Sequence, residues 1–314
     1  MNEIAQGTMP LLHALAGIRF PALDWLLSRV TFFGEETLFM VVGLAVLWCW
    51  SKRGGYYLVT MGVIGTGVSQ FLKLLFHVPR PWVLDSNFPI VESARGAAND
   101  WSFPSGHTQI AVGTYGGLAL WAEKKWVKVC LWCLAALVAF SRLYLGVHTI
   151  LDVGVAAVLA LALALALRPV FRSGSAGAVR AVLLGTVALT GALIALRALI
   201  RYPADMSAED AANLASGVRN LWLLLGASVG LWICFELDER VIRYDTKAVW
   251  WAQLLKLAGG LAIVLGMKTG LQKLFGRGDT ATFFIYLAMI LFACGVWPLT
   301  FKWFARLGRK ETKV

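Results

Sequence analysis

The sequence predicts an all-α, polytopic membrane helix bundle, and three observations carry that prediction. Of its 314 residues, 59% are hydrophobic and 15% are charged, whereas a soluble domain is nearer a quarter charged. Apolar runs of about 16 to 22 residues recur along the whole chain, long enough to cross a bilayer as helices. The charged residues gather in short clusters between those runs.

Taken in order, residues 1–34 are mildly amphipathic, with Leu11, Leu12, Leu15, Ile18, Phe20 and Leu26 broken by Arg19, Pro21, Asp24 and Arg29. They read as one or two helices lying at the membrane interface. A basic region followed by a continuous apolar core, the mark of a cleavable signal peptide, is not evident there. The first span is expected near 35–50, with Glu35 and Glu36 placed to cap it, and the second near 56–76, after the basic turn Lys52-Arg53. Pro79, Pro81 and Pro89, with Asp85, Glu92, Arg95 and Asp100, exclude a transmembrane helix from 77–103. The third span runs from the Ser-Gly-His turn to Trp121, the fourth over 127–141 and the fifth over 149–167, where an Ala-Leu repeat reads as plain lipid-facing helix. After a Gly/Ser/Arg linker come spans near 181–199, 219–236, 249–270 and 281–300, about nine in all. Residues 201–218, with Asp205, Glu209 and Asp210, read as a polar loop, and Glu236, Asp238 and Glu239 as cytoplasmic loop charges. This divides the chain into 1–34, 35–170 and 171–314, the last ending in a basic tail with Lys302, Arg306, Arg309, Lys310 and Lys313.

The net charge of +11 is a matter of topology, because lysine and arginine collect on cytoplasmic loops. An outside N-terminus puts Lys52/Arg53, Lys124/Lys125/Lys128, Arg168/Arg172/Arg180, Arg240/Arg243/Lys247 and the tail inside. The acidic 201–218 segment then falls outside. A nucleic-acid partner is excluded, since no basic stripe with interleaved aromatics lies outside the apolar runs. Cys49, Cys130, Cys133, Cys234 and Cys294 all lie in apolar stretches, so even the Cys130-Leu-Trp-Cys133 spacing reads as packing, with neither disulfide nor metal expected.

Three polar clusters stand out against this background: Lys73 with Arg80-Pro81, Pro104-Ser-Gly-His107, and Ser141-Arg142 followed by His148 and Asp152. With N-out topology all three fall on one side of the membrane. If the last cluster continues as a helix, His148 and Asp152 form an i, i+4 pair on one face. The carboxylate then fixes the imidazole tautomer and leaves the other nitrogen free to attack. Lysine as a point charge and arginine as a planar fork suit the oxygens of a phosphate. Alone, Lys73 near a span end would be an ordinary snorkelling cation; beside the other clusters, Lys73, Arg80 and Arg142 read as an anion cage. Ser105 and Gly106, where a loop enters a helix, suit both an N-cap and close backbone approach to an anion.

Lys-x6-Arg-Pro, Pro-Ser-Gly-His and Ser-Arg-x5-His-x3-Asp together resemble the tripartite signature of the type 2 phosphatidic acid phosphatase superfamily, over roughly residues 35–165. The resemblance implies a six-helix phosphatase core, here with extra C-terminal transmembrane helices. It implies that His148 is the nucleophile, forming a phosphohistidine, and that Asp152 orients it. His107 would be the general acid and then base, with Lys73, Arg80, Ser105, Gly106 and Arg142 binding phosphate. The expected reaction is metal-independent and cofactor-free hydrolysis of a terminal lipid phosphate, at the outer face of a bacterial inner membrane, with vanadate as an inhibitor. Membrane lipids and a phosphorylated lipid substrate are the expected partners; the oligomeric state is not legible.

Two rival enzymes keep the same residues, a lipid-diphosphate-dependent phosphotransferase and a hydrophilic sugar-phosphate phosphatase. A lipid carrier is the non-enzyme rival, which a full catalytic set argues against. His13 has no nameable partner, and His77 reads as an interfacial loop residue. The echo of Phe71–Phe76 in Gly270–Phe275 lacks a following Pro-Ser-Gly-His and is not expected to form a second site.

Overall fold

The computed structural model describes residues 1–98 and 100–307. Fifteen α-helices follow in order: α1 Asn2–Gly7, α2 Met9–Ala16, α3 Pro21–Val30, α4 Glu36–Ala45, α5 Lys52–Phe76, α6 Pro81–Leu84, α7 Gly106–Ala111, α8 Gly117–Trp121, α9 Lys125–Tyr144, α10 Ile150–Ser173, α11 Ala176–Leu199, α12 Ala208–Leu237, α13 Trp250–Phe275, α14 Asp279–Leu291 and α15 Phe301–Phe304. No strand occurs among the described residues. Five-residue π turns carry α4 on to Trp50 and join α7 to α8.

Among the described residues seven helices are long and apolar enough to cross a membrane, and Pro21–Gly34 with Glu36–Trp50 is a pair bent by 51° that adds an eighth if it counts as one span. The helix from Gly106 to Trp121 is the remaining expected span; it is shorter than these, closed by Ala122 in extended conformation. Leu137, Phe140, Val158, Leu161, Leu165, Leu184 and Leu196 stand exposed along α9, α10 and α11, as lipid-facing side chains do. The protein is therefore a polytopic helical membrane protein.

Several expectations change. The 201–218 segment is half helix, because Ser207 accepts the Asp210 N–H (3.0 Å) and donates to its carboxylate (2.9 Å). That cap starts α12 at Ala208, about three turns earlier than the apolar run suggests. At the N-terminus three helices form rather than one or two. They are packed through Ala5 against Val78 and Phe103, through Met9 and Leu12 against Phe88, and through Leu27 against Tyr144 and Val147. His13 does have a partner, the Asp85 carboxylate at 2.8 Å. Of the basic tail, Arg309, Lys310 and Lys313 lie outside the described residues.

The chain forms two compact units that interleave along the sequence. The first comprises Met1–Phe39, Ile64–Arg168 and Ala192–Leu221, and contains all three polar clusters. The second comprises Met40–Val63, Pro169–Gly191 and Trp222–Val314. In the second unit, Trp48 donates to the Ala293 carbonyl (2.9 Å) and Thr190 and Ser228 share a buried hydrogen bond (3.0 Å). Asp238 is not a solvated loop charge: α12 runs on to Leu237, and the Asp238 side chain is 4% exposed and bound to the Lys52 ammonium at 2.7 Å.

Candidate active site

Within the first unit, four helix ends meet around a cleft of about 370 Å³. Each helix stops or starts for a local reason. α5 ends because Pro79 and Pro81 lack the N–H a helix needs, and His77 turns the chain out at φ 46°. α7 starts at Ser105, whose hydroxyl accepts from the Thr108 amide at 3.4 Å. α9 ends before Gly146, whose φ of +78° is in the left-handed region. A Cβ there would come within 2.7 Å of Phe88 and 2.9 Å of Arg19, so this turn needs glycine.

α10 starts with a reciprocal capping box. Asp152 accepts the Thr149 amide at 2.7 Å, and the Thr149 hydroxyl accepts the Asp152 amide at 3.3 Å. His148 therefore lies in the turn before α10 and not on its face, which corrects the expectation of a helical i, i+4 pair. The two side chains still approach, at 3.4 Å from Nδ1 to Oδ2, longer than a good hydrogen bond. The short contacts of Asp152 are to Thr149 and to the Ser102 hydroxyl, which donates to Oδ2 at 2.5 Å and lies 3.3 Å from His148 Nδ1.

Backbone hydrogen bonds stitch the three clusters together. The Ser102 amide donates to the Val78 carbonyl (2.8 Å) and the Ser105 amide to the Asp152 carbonyl (3.1 Å). The cations rest on neutral oxygens. Lys73 Nζ donates to the Trp101 carbonyl (2.9 Å), Arg80 to the Asp100 (3.1 Å) and Val147 (2.9 Å) carbonyls, and Arg142 to the Thr31 hydroxyl. All three are at least nine-tenths buried, at 6%, 7% and 1% exposure. Like charges lining one buried cleft repel unless an anion joins them. Arg142 Nε and His107 Nε2 have no hydrogen-bond partner among the described residues.

Arg80 Nη1 also lies 2.9 Å from His148 Nε2. The same Nη1 is 3.4 Å from Nδ1; a guanidinium only donates, so the shorter contact suits the tautomer with its lone pair on Nε2 and its proton on Nδ1, on the side of Ser102 and Asp152. Burial first, then Arg80, Arg142 and Lys73, hold the His148 imidazole well below its ordinary range. It is a neutral ring in contact with Arg80.

Of the residues singled out from the sequence, Lys73, Arg80, Gly106, His107, Arg142 and His148 line this cleft. Ser105 is fully buried as the cap of α7, and Asp152 is fully buried behind His148. Sequence reasoning missed Ser102, Thr149 and Thr31. The Thr149-x-x-Asp152 capping pattern was available as a signal; for Ser102 and Thr31 no local pattern exists. It also missed the polar face of α5 formed by Thr66, Ser69 and Gln70, with Gln109 opposite, which extends the cleft. His77 packs edge-on against Trp101 (4.5 Å) and Tyr202 (5.1 Å). Among the described residues no three His, Cys, Asp or Glu side chains are grouped to hold a metal ion.

Fold and site together define a membrane-embedded helical protein with a buried cationic pocket and a poised imidazole. Residues 53–174 match the PAP2 superfamily, and residues 222–310 match the PAP2 superfamily phosphatase transmembrane extension. The chain belongs to the PAP2 superfamily. It is 33% identical over 133 residues to the putative undecaprenyl-diphosphatase YbjG of Escherichia coli K12, covering 41% of this chain and 65% of that protein. It is 28% identical to the phosphatidylglycerophosphatase B of Bacillus subtilis 168, over 48% of this chain and 77% of that one. It is 30% identical to an undecaprenyl-diphosphatase of Sulfolobus acidocaldarius, over 42% and 62%. The chain thus spans less than two thirds of two of these relatives. The crystal structure of Aquifex aeolicus LpxE is similar with a TM-score of 0.45 and 25% identity, covering 51% of this chain and 93% of that one.

Proposed function

We propose that the protein is an integral membrane lipid phosphatase that hydrolyses a terminal phosphate, monoester or diphosphate, through a phosphohistidine on His148. The observation that carries this reading is a buried imidazole whose Nε2 lies 2.9 Å from Arg80 in a cleft that Lys73 and Arg142 also line. The phosphatase names of the similar proteins support it.

In this reading the terminal phosphate enters the cage, and Arg80 leaves Nε2 for the equatorial oxygens. Lys73 and Arg142 neutralise the remaining charge, which lets an electron-rich nitrogen approach phosphorus. The Nε2–P bond forms as the bond from phosphorus to the leaving oxygen breaks, and His107, which takes up a proton as the phosphate dianion enters and offsets the neighbouring cations, gives that oxygen its proton. Asp152 and Ser102 hold the Nδ1 proton while charge develops on the ring. Water then attacks phosphorus as His107 takes its proton. The P–N bond breaks, and inorganic phosphate leaves. Ser105 serves by starting α7, and Gly106 by leaving room beside the phosphate. No step needs a metal or cofactor.

The reading also places the site on the outer side of a bacterial inner membrane, with the C-terminus inside. What supports it is the position of Lys124 and Lys125 at the start of α9 and Arg142 in its last turn. A helix of 20 residues is about 30 Å long, one hydrocarbon thickness, and lysine-rich turns are cytoplasmic.

The test is phosphate release from lipid phosphates by purified protein in detergent with chelator present. Release should persist with chelator, vanish in His148→Ala, and leave an acid-labile phosphoenzyme in rapid-quench samples of wild type alone. Full turnover by His148→Ala would overturn the reading, and transfer only in the presence of an acceptor would make the protein a phosphotransferase.

A further inference from the structure

Three consecutive residues, Asp100, Trp101 and Ser102, each hold one part of the site. The Asp100 carbonyl accepts from Arg80 Nε at 3.1 Å and the Trp101 carbonyl from Lys73 Nζ at 2.9 Å. The Ser102 hydroxyl donates to Asp152. This stretch is neither helix nor strand, so no repeating backbone ladder fixes it. Its last residue is tied by the Ser102 amide to the Val78 carbonyl. Its middle is tied through a side chain.

Trp101, 6% exposed, donates its indole N–H to Asp210 Oδ1 at 3.1 Å. Asp210 is anchored in turn by Ser207, which accepts its amide and donates to Oδ2. At the start of the same segment, the Tyr202 hydroxyl donates to the Leu74 carbonyl at 2.8 Å, next to Lys73 on α5. The His77 ring stands edge-on to both Trp101 and Tyr202. His77 and Asp100 have φ of 46° and 72°, a left-handed backbone that persists where the surroundings over-determine it. Residues 202–210 therefore grip both partners of the Lys73–Trp101 hydrogen bond. They hold the cation through the end of its helix and the acceptor through its indole.

All of these residues belong to the first unit. The other side of the grip is open: Trp101, Tyr202, Ser207 and Asp210 line a cavity of about 540 Å³. Directed hydrogen bonds, more than close packing, set positions there. Residues 175–221 also lie between the two stretches that match the family, so the grip comes from outside the matched core.

We propose that Asp210 and Tyr202 are positioning residues for phosphate transfer, fixing through Trp101 and Leu74 where Lys73 presents its ammonium in the cage. This rests on the phosphatase reading above. Charge stabilisation depends on donors already in place when the transition state forms, and a misplacement of about 1 Å costs up to about 100-fold in rate.

The experiment measures kcat/KM for phosphate release by the full-length protein in detergent, together with inhibition by orthovanadate. The substrate is phosphatidylglycerol phosphate or undecaprenyl diphosphate, whichever wild type turns over faster. Trp101→Phe and Asp210→Ala should each lower kcat/KM about tenfold, the size of one lost hydrogen bond, and weaken vanadate inhibition. The double variant should fall no more than about twofold below either single, because both remove the same bond. Asp210→Asn keeps an oxygen that accepts from the indole and should restore most of the lost activity, which a purely structural or charge effect would not produce. Should Asp210→Ala fail to fold, Tyr202→Phe, which removes one hydroxyl, carries the test with the same two readouts. The proposal is refuted if Asp210→Asn falls as far as Asp210→Ala, if the single losses multiply in the double variant, or if Trp101→Phe and Tyr202→Phe match wild type in both readouts. Absence of His148-dependent release from wild type on either substrate would instead refute the phosphatase reading, which keeps the two failures distinct.

Discussion

Both units of this protein bury charge, and they do so in opposite ways. In the second unit Lys52, Asp238, Arg180, Glu236 and Lys256 each have a counter-charge or a ring. Lys52 binds Asp238 at 2.7 Å and lies over the Tyr244 ring at 4.2 Å. Glu236 takes both Arg180 and Arg240, the latter at 2.9 Å. Lys256, fully buried, donates to the Thr246 carbonyl at 3.0 Å and sits over Phe301 at 4.4 Å. In the first unit Lys73, Arg80 and Arg142 converge on carbonyls and a hydroxyl, and neither Lys73 nor Arg142 has an ion-pair partner among the described residues. Matched charges hold helices in register; converging like charges store an affinity for something absent from the chain. The contrast separates scaffold from site without reference to any motif.

It can be broken or sharpened by substitution. The largest effect should come from His148→Ala, expected to lower kcat by at least about 1,000-fold with little change in thermal midpoint, as measured by phosphate release and a melt in detergent. Asp238→Ala should do the reverse. It strands Lys52 and the Tyr244 amide, which donates to the Asp238 carboxylate at 3.1 Å. The expected destabilisation is about 2–3 kcal/mol, below that of a fully buried pair because Lys52 keeps some solvent. Turnover per folded molecule should stay unchanged, and equal losses of activity and stability in both variants would dissolve the distinction.

Ser102→Ala should cost about tenfold in kcat, the size of a hydrogen bond to a charged group, while KM moves little because Ser102 touches the imidazole's supports and not the substrate. The smallest effect is expected for Lys256→Met. Replacing a buried cation by an apolar chain of similar volume should change stability by no more than about 1 kcal/mol, read from the same melts.

Much of this was legible in the sequence, for an identifiable reason. Lys73, Arg80, His107, Arg142 and His148 are each tied to the end of an apolar run, and span ends fall at known depths. Their convergence at one membrane side follows from counting crossings. What spacing does not encode is rotation about a helix axis and pairing across long separations. Ser69 and Gln70 face the cleft only because α5 is turned that way. Lys52 meets Asp238 across 186 residues, so Asp238 read as an ordinary loop charge. Ser102 is one polar residue in a proline-rich stretch full of them. The start of α12 was encoded, in Ser207-Ala-Glu-Asp210, but the hydropathy of the following run drew the boundary too late.

The carboxylate of Asp152 has two employers. It answers to the imidazole next door and also to the Thr149 amide that begins α10. Any replacement at 152 therefore loosens the first turn of a membrane helix while altering chemistry, and its kinetics will overstate the electrostatic share. Thr149→Val, which removes one half of the reciprocal cap and spares the carboxylate, supplies the baseline against which such numbers can be corrected.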